Sequence, residues 1–340
     1  MNKIAIVILN WNTKDQLEQF LPNLLRYSQG ADTEIIIVDN GSTDGSVEFL
    51  KKNYPEVRKI VFDKNYGYTG GYNKALEQVE AKYYVLLNSD IEVTENWLEP
   101  LRKTMDSSPE IAACTPKIKS YHNKDYFEYA GAAGGFIDKF GYPFCRGRIL
   151  DTIEKDEGQY DTGSKIFWAT GACLFVRSDL FHKAHGLDDD FFAHMEEIDL
   201  CWRLQNMGYT IYYVPESTVY HVGGGTLPNN TPFKLFLNYR NNLFLLYKNL
   251  PDKHLVPTLT IRISLDIVSA LVYLLKGNVN FLKAVCSAHI AFFRKLKILK
   301  QKRRTITTKK RELPDTIYKN SIVFDYYIKK KQQFSLLKTK

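Results

Sequence analysis

KIAIVILN at residues 3–10 and EIIIVD at 34–39 are short runs rich in β-branched residues, and each ends on a polar side chain, Asn10 and Asp39. Runs of this length and composition read as buried strands. Between them Leu17, Phe20, Leu21, Leu24 and Leu25 recur at helical spacing, which predicts strand, helix, strand. The alternation continues outward. Ser46–Asn53 predicts a second helix, Lys59–Phe62 a short strand, Tyr72–Glu80 a helix after a glycine-rich turn, and Tyr83–Leu87 a strand closing in Asn88-Ser89-Asp90. Apolar strands alternating with helices predict an α/β fold with a mostly parallel sheet flanked by helices. In such sheets ligands bind beyond the carboxyl ends of the strands.

Residues 111–178 read as a β-rich insertion that ends in the apolar strand Ala172–Val176. Next come the acidic segment Gly186–Gly208, a strand around Thr210–Val214 and the turn-rich stretch Tyr220–Pro232, with Pro228–Pro232 as the expected linker. We place a nucleotide-binding catalytic domain at 1–230 and a helical, basic region at 231–340. The net charge of +8 is uneven: residues 234–340 hold 23 Lys+Arg against 5 Asp+Glu, leaving 23 against 33 before them. An acidic body with a basic tail is not the footprint of a nucleic-acid binder. The five cysteines lie far apart with no CxxC pair, which suits reduced thiols and excludes a zinc or disulfide framework. The opening run MNKIAIVILNWN has neither the shape of a secretory signal nor that of a signal anchor, so a cytoplasmic reaction is expected.

Several segments carry possible chemistry, and each has a plainer competitor. VDNGSTDGS (38–46) sets Asp39 at a strand end before a small polar loop, where the carboxylate can meet a base imide or a ribose hydroxyl; Ser42, Thr43 and Asp44 would equally cap the next helix. NYGYTGGYNKAL (65–76) can offer helix-start N–H groups to phosphate, or be a flexible turn. Asp90, at the sheet's carboxyl edge, can hold Mg²⁺ or Mn²⁺, or only begin a turn with Glu92. In LDDDFFAHMEEIDLCWR (187–203) one carboxylate can serve as general base, while Glu196 and Glu197 would also favour a helix dipole; Phe191 and Phe192 would anchor the segment in the core. His221 precedes three glycines, so its imidazole can reach an open site with little obstruction, or be a satisfied structural histidine.

Taken in order, VILNWN (7–12), VDNGSTDGS, NYGYTGGYN, LLNSD (86–90), WATGACLFVR (168–177), FFAHMEEIDLCWR and YHVGGG (220–225) resemble the family-2 inverting glycosyltransferases with the GT-A fold, and especially their rhamnosyltransferase-like branch. The resemblance covers roughly residues 3–250. It implies that Asp39 reads the nucleobase with Asn10 and Asn12 beside it, and that Asn65, Gly70, Gly71 and Asn73 hold ribose and diphosphate. Asn88, Ser89 and Asp90 stand where the family has its DxD-like motif, with Asp90 as the metal ligand and His221 completing the site. Ala169, Thr170 and Gly171 would border the donor sugar. Relatives read Glu-Asp where this chain has Glu196-Glu197; Glu197 is the implied base, Glu196 the second choice, and Asp199 an orienter or acceptor contact. The implied reaction is metal-assisted single displacement from a nucleoside-diphosphate sugar, dTDP-rhamnose or a UDP-hexose, to a glycan or lipid-linked oligosaccharide. A glycoside hydrolase needs neither nucleotide-binding sheet nor metal. The competing classes are a polyprenyl-phosphate sugar transferase and a non-catalytic nucleotide-sugar-binding subunit.

In the tail, Leu265–Leu275 is an eleven-residue apolar run containing Asp266, short of the roughly twenty residues a span requires, so no spanning helix is expected. Ala288–Lys300 sets Phe292, Phe293, Leu296 and Leu299 against Arg294, Lys295, Lys297 and Lys300, the pattern of a helix lying on an anionic lipid surface. The competing reading packs that helix on the catalytic domain with its basic face in water. The expected location is peripheral, at the inner face of the plasma membrane.

Overall fold

A computed structural model of the chain describes residues 4–30, 32–223, 231–306 and 312–337. The first half alternates as its periodicity predicts: β1 (Ile4–Asn10), α1 (Lys14–Tyr27), β2 (Thr33–Asp39), α2 (Ser46–Asn53), β3 (Arg58–Val61), α3 (Gly67–Leu76) and β4 (Tyr83–Leu87). There follow β5 (Ile91–Val93), α4 (Leu98–Ser107), β6 (Ile111–Ser120), then five short strands, β7 (Gly135–Asp138), β8 (Pro143–Cys145), β9 (Arg148–Ile149), β10 (Thr152–Ile153) and β11 (Ser164–Ile166). The chain continues through β12 (Cys173–Arg177), α5 (Ser178–Lys183), α6 (Glu196–Asn206) and β13 (Thr210–His221). The remainder is α7 (Pro232–Asn249), α8 (Asp252–Leu275), α9 (Val279–Thr305), β14 (Ile317–Tyr318) and α10 (Ile322–Tyr327).

The main sheet runs β11-β13-β6-β12-β4-β1-β2-β3, with β5 paired to β13. Strands β4, β1, β2 and β3 are parallel, β12 runs antiparallel to β4 and β6, and β13 is parallel to β6. This topology brings the ends of β1, β2, β4, β6 and β13 and the start of β12 to one edge. Ile4, Ile6 and Ile8 of β1 enter one apolar cluster while Ala5 and Val7 enter another, so the sheet is buried on both faces.

Three readings need correction. First, α3 starts at Gly67, so Gly70 and Gly71 lie inside a helix rather than in a flexible turn. A Cβ at Gly71 would stand 2.8 Å from Leu9 Cδ1 and 3.1 Å from Asn40 Nδ2, so the residue is small to let α3 close on β1. Second, β13 runs on to His221, well past the predicted end at Val214. Third, α8 is 24 residues long, and among the described residues it is one helix long and apolar enough to cross a membrane. The run is longer than it reads because Arg262 and Asp266, which look like interruptions, pair with each other at 2.8 Å one turn apart and are buried. Residues 231–337 also pack on the body. Leu243, Phe244, Leu245 and Leu246 of α7 belong to the main core; β14 joins β7 in the second sheet (β10-β9-β8-β7-β14), and Phe334 packs on Phe136 and Phe144. Of the expected linker, residues 228–230 lie outside the described residues, and Pro232 already begins α7.

Candidate active site

Because β1 and β2 pair in register at Asn10 and Asp39, their polar ends meet. Asn10 Nδ2 donates to Asp39 Oδ1 at 3.0 Å, and the Ser42 amide donates to Asp39 Oδ2 at 2.9 Å. Asn10 and Asp39 are buried, whereas Asn12 is exposed and accepts from the Thr43 amide at 2.7 Å. Thr13 links this end to the next strand: its hydroxyl donates to Asn10 Oδ1 at 2.6 Å and lies 3.0 Å from the Ser89 hydroxyl.

The start of α3 is less open than its sequence suggests. The amides of Tyr66, Gly67 and Tyr68 donate to Asn40 Oδ1, Asn65 Oδ1 and the Phe192 carbonyl at 3.0, 2.7 and 3.2 Å. The expectation of free helix-start amides for phosphate therefore fails at these three positions. Asn40, missed in the sequence, is the hub, since its Nδ2 also donates to Asn65 Oδ1 and the Gly67 carbonyl. Asn73 donates to the Leu187 carbonyl and to Asp189, and accepts from the Leu187 amide, so its side chain ties α3 to the acidic loop.

At the other end of the edge, β5 pairs with the tail of β13 and sets Asp90 beside His221. His221 Nε2 lies 3.2 Å from Asp90 Oδ1 and 3.5 Å from Asn88 Nδ2, and its Nδ1 lies 3.4 Å from Glu128 Oε2 without hydrogen-bond geometry. Burial lowers the pKa of the imidazole, but the carboxylates of Asp90 and Glu128 on either side outweigh it and raise the group to about 10. For Asp90 burial works upward, and His221 overcomes it to hold the carboxyl below its usual range. A proton held between carboxylates marks a place where cationic charge is favoured. Among the described residues no three His, Cys, Asp or Glu side chains converge as a ready metal cage. One carboxylate and one imidazole, with phosphate oxygens and water completing the shell, still suit Mn²⁺ or Mg²⁺. Glu128 comes from the β-rich insertion, and no spacing in the sequence points to it.

Of the sugar-bordering trio, Ala169 and Thr170 are buried and turned inward: the Ala169 amide donates to Cys201 Sγ, and the Thr170 hydroxyl to the Ala130 carbonyl. Gly171 is the half-exposed member. Its carbonyl accepts from the Tyr68 hydroxyl at 2.8 Å, and a Cβ there would meet that hydroxyl at 2.9 Å and Glu197 Cβ at 3.8 Å. Gly171, Tyr68 and Glu197 thus form one wall.

Glu196 and Glu197 open α6 after a loop in which Phe192, His194 and Met195 all have positive φ, between 67° and 70°. Such backbone in non-glycine residues persists only where surroundings enforce it, and it gathers at functional sites. Oε2 of each glutamate is buried without a hydrogen-bond partner. Burial, reinforced by the neighbouring Glu197, raises Glu196 well above the carboxylate range. Glu197 is raised by burial to about 7, backbone hydrogen bonds acting in the opposite direction. Burial thus favours the protonated form of Glu196, and Glu197 is poised to exchange a proton.

Asp199 is not an acceptor contact. It is fully buried, with Arg203 Nε at 2.8 Å, Lys248 Nζ at 2.9 Å and Asn249 Nδ2 at 2.8 Å. Its face of α6 is covered by α7, which the sequence does not reveal. The C-terminal helices hold the whole acidic loop. Lys248 and Lys302 pair with Asp188, and Lys295 and Lys302 with Asp190 at 2.7 Å. Asn241 Nδ2 reaches the carbonyls of Phe191, Ala193 and His194 at 3.1, 2.8 and 2.7 Å. Phe191 is buried as expected, but Phe192 is 43% exposed.

Residues 5–183 match the family described as Glycosyl transferase family 2. The chain is 26% identical over 236 residues to the N-acetylglucosaminyl-diphospho-decaprenol L-rhamnosyltransferase of Mycobacterium tuberculosis, covering 64% of this chain and 75% of that one. It is also 26% identical over 227 residues to rhamnosyltransferase WbbL of Escherichia coli, covering 64% and 83%. Among solved structures, GalNAc-T7 with UDP, GalNAc and Mn²⁺ superimposes with a TM-score of 0.58 at 15% identity, over 74% of this chain and 49% of that chain. The mannosyltransferase PcManGT of Pyrobaculum calidifontis, in complex with GDP-Man and Mn²⁺, gives 0.51 at 14% identity over 85% and 74%. These likenesses carry the GT-A fold, and the sequence match carries the lineage: the chain is a glycosyltransferase belonging to glycosyl transferase family 2.

Proposed function

We propose that the enzyme transfers a rhamnosyl or other hexosyl group from a nucleoside diphosphate, dTDP-rhamnose or a UDP-hexose, to a hydroxyl of a lipid-linked cell-surface glycan, with inversion at the anomeric carbon. The observation that carries the reading is Glu197, a carboxyl raised by burial, with its Oε2 buried and without a hydrogen-bond partner, on the wall shared with Gly171. The named activities of the two rhamnosyltransferase relatives support the donor and acceptor classes. Asp39 and Asn10 would hold the base end of the donor and the Asp90–His221 pair its diphosphate end. A divalent cation bound by Asp90 and His221 would supply charge neutralisation for the leaving diphosphate. Glu197 takes the proton from the acceptor hydroxyl as its oxygen bonds to the anomeric carbon and the bond to the diphosphate oxygen breaks, that electron pair leaving with the diphosphate. The raised pKa of Glu196 favours its protonated form, which lowers the negative charge beside the base. The reaction would run on the cytoplasmic side of the plasma membrane.

The test is thermal stabilisation of wild type and Asp90→Ala by a panel of nucleoside diphosphates and nucleotide sugars, with Mn²⁺, Mg²⁺ or EDTA. A metal-dependent shift with one nucleotide, lost in the variant, is expected and names the donor base. No shift with any nucleotide contradicts the reading.

A further inference from the structure

The outer face of α8 has no role in the site. The helix is long and apolar enough to cross a membrane, yet only 22% of its apolar window is buried. Helical geometry divides it sharply. Arg262, Asp266 and Ala270 recur one turn apart and are buried, whereas Ile261, Val268, Leu271 and Leu275, on the opposite side, are 42%, 57%, 53% and 87% exposed.

The inner face is polar and fastened to the body. The Arg262 guanidinium pairs with Asp266 and lies 4.0 Å from the centre of the Tyr142 ring; His289 of α9 reaches Asp266 at 3.2 Å. A helix so docked cannot be surrounded by lipid, so its length does not make it a span. After a short turn at Gly277, α9 returns antiparallel, exposing Ile290 (52%) and Phe293 (55%) among exposed Arg294, Lys297 and Lys300. Between Lys253 and Arg311 the sole acidic residue is Asp266, and it is buried. Apart from Asp252 at the start of α8, which pairs with Arg303, the charges on the exposed surface of this hairpin are therefore all cationic.

We propose that the outer face of α8, with Ile290 and Phe293 of α9, is a lipid-binding surface that seats the enzyme in the interfacial plane of an anionic bilayer without crossing it. The apolar face enters the acyl boundary while the lysines and arginines meet anionic headgroups. A second copy is the poorer occupant, because a two-fold contact would set cationic rim against cationic rim. Lys295 and Lys302 of the same helix hold Asp190 and Asp188, so the seat lies one ion pair from the loop that carries Glu197. This deepens the proposal of a lipid-linked acceptor and rests on it only for its purpose.

The experiment is co-sedimentation of the full chain with phosphatidylglycerol–phosphatidylethanolamine vesicles and with pure phosphatidylcholine vesicles, with nucleoside-diphosphate binding followed in parallel. Wild type is expected on the anionic vesicles and released from them at alkaline pH without detergent. Val268→Asp with Leu271→Asp is expected to lower partitioning by at least about tenfold, and Arg294→Glu with Lys297→Glu to lower it on anionic vesicles only. Unchanged partitioning in the aspartate pair overturns the proposal. So does protein that only detergent releases, which would mean a span, or a dimer that the aspartate pair dissolves in a protein that never binds vesicles. Intact vesicle binding without nucleotide binding would sink the transferase reading alone; the reverse would sink this one alone.

Discussion

The two sides of the cleft are built in opposite ways. On one, Asn10, Asp39 and Asp90 stand at or just past the ends of parallel strands, and each is placed by backbone pairing within the first ninety or so residues. On the other, Glu196 and Glu197 follow a loop of left-handed residues that has no regular pairing of its own and is held by Asn241, Lys248, Lys295 and Lys302 from far along the chain. A donor site can be made by a sheet edge alone, whereas this base needs a clamp. The basic region is thus partly catalytic scaffold: its charge excess is spent in part on neutralising the acidic loop.

Breaking either side should show the difference. The largest effect is expected for Glu197→Gln, with turnover lowered by about 10²–10⁴-fold and donor affinity retained, checked by steady-state kinetics beside nucleotide titration. Lys248→Met should act on the clamp instead. It leaves Asp188 and Asp199 buried without their shared cation, a cost of about 3–5 kcal/mol in chemical denaturation. Asp188 and Asp199 are both desolvated, which works upward, but Lys248 and other cations hold them below the usual carboxylate range. Their contribution to stability is therefore present above the unfolded carboxylate pKa and lost as pH falls through the folded one. Wild type should lose stability on acidification more steeply than a Lys248→Met/Asp199→Asn double variant, followed by thermal melts from pH 6 to 3 (window set roughly by carboxylate pKa values).

A smaller effect is expected on the sheet side. Glu128→Gln should weaken Mn²⁺ binding in the presence of nucleotide by about 10–100-fold, read by electron paramagnetic resonance, because Glu128 sits against the far nitrogen of His221. An unchanged Mn²⁺ affinity would remove Glu128 from the site. The mildest is the pH profile. Since Glu197 must give up its proton before it can accept one, kcat/KM should fall about tenfold per unit below its raised pKa of about 7 and level off above it. The Tyr68 hydroxyl across the wall, raised by burial above the usual phenol range, stays neutral there.

What was legible in the sequence follows the same division. β1, β2 and β4 read directly from β-branched runs, and the polar residues at their ends followed, because local period and strand direction are short-range properties. Asn40 and Glu128 were not legible, since each matters through a partner that only the fold brings near. For Asp199 the sequence left orienter and acceptor contact open, because its spacing says that it lies on α6 but not that α7 covers that face. Asp266 misled in the same manner: a charge within an apolar run suggests a break until its pairing with Arg262 is known. Gly71, read as part of a glycine-rich turn, is a point of contact between α3 and β1.

The most direct test of the account is the anomeric configuration of the product, determined by nuclear magnetic resonance with the donor identified by thermal stabilisation, for wild type and Glu197→Gln under single-turnover conditions. Inversion in wild type, with the same product formed at least about a hundredfold more slowly by the variant, is predicted. Retention of configuration, or a variant as fast as wild type, would contradict it.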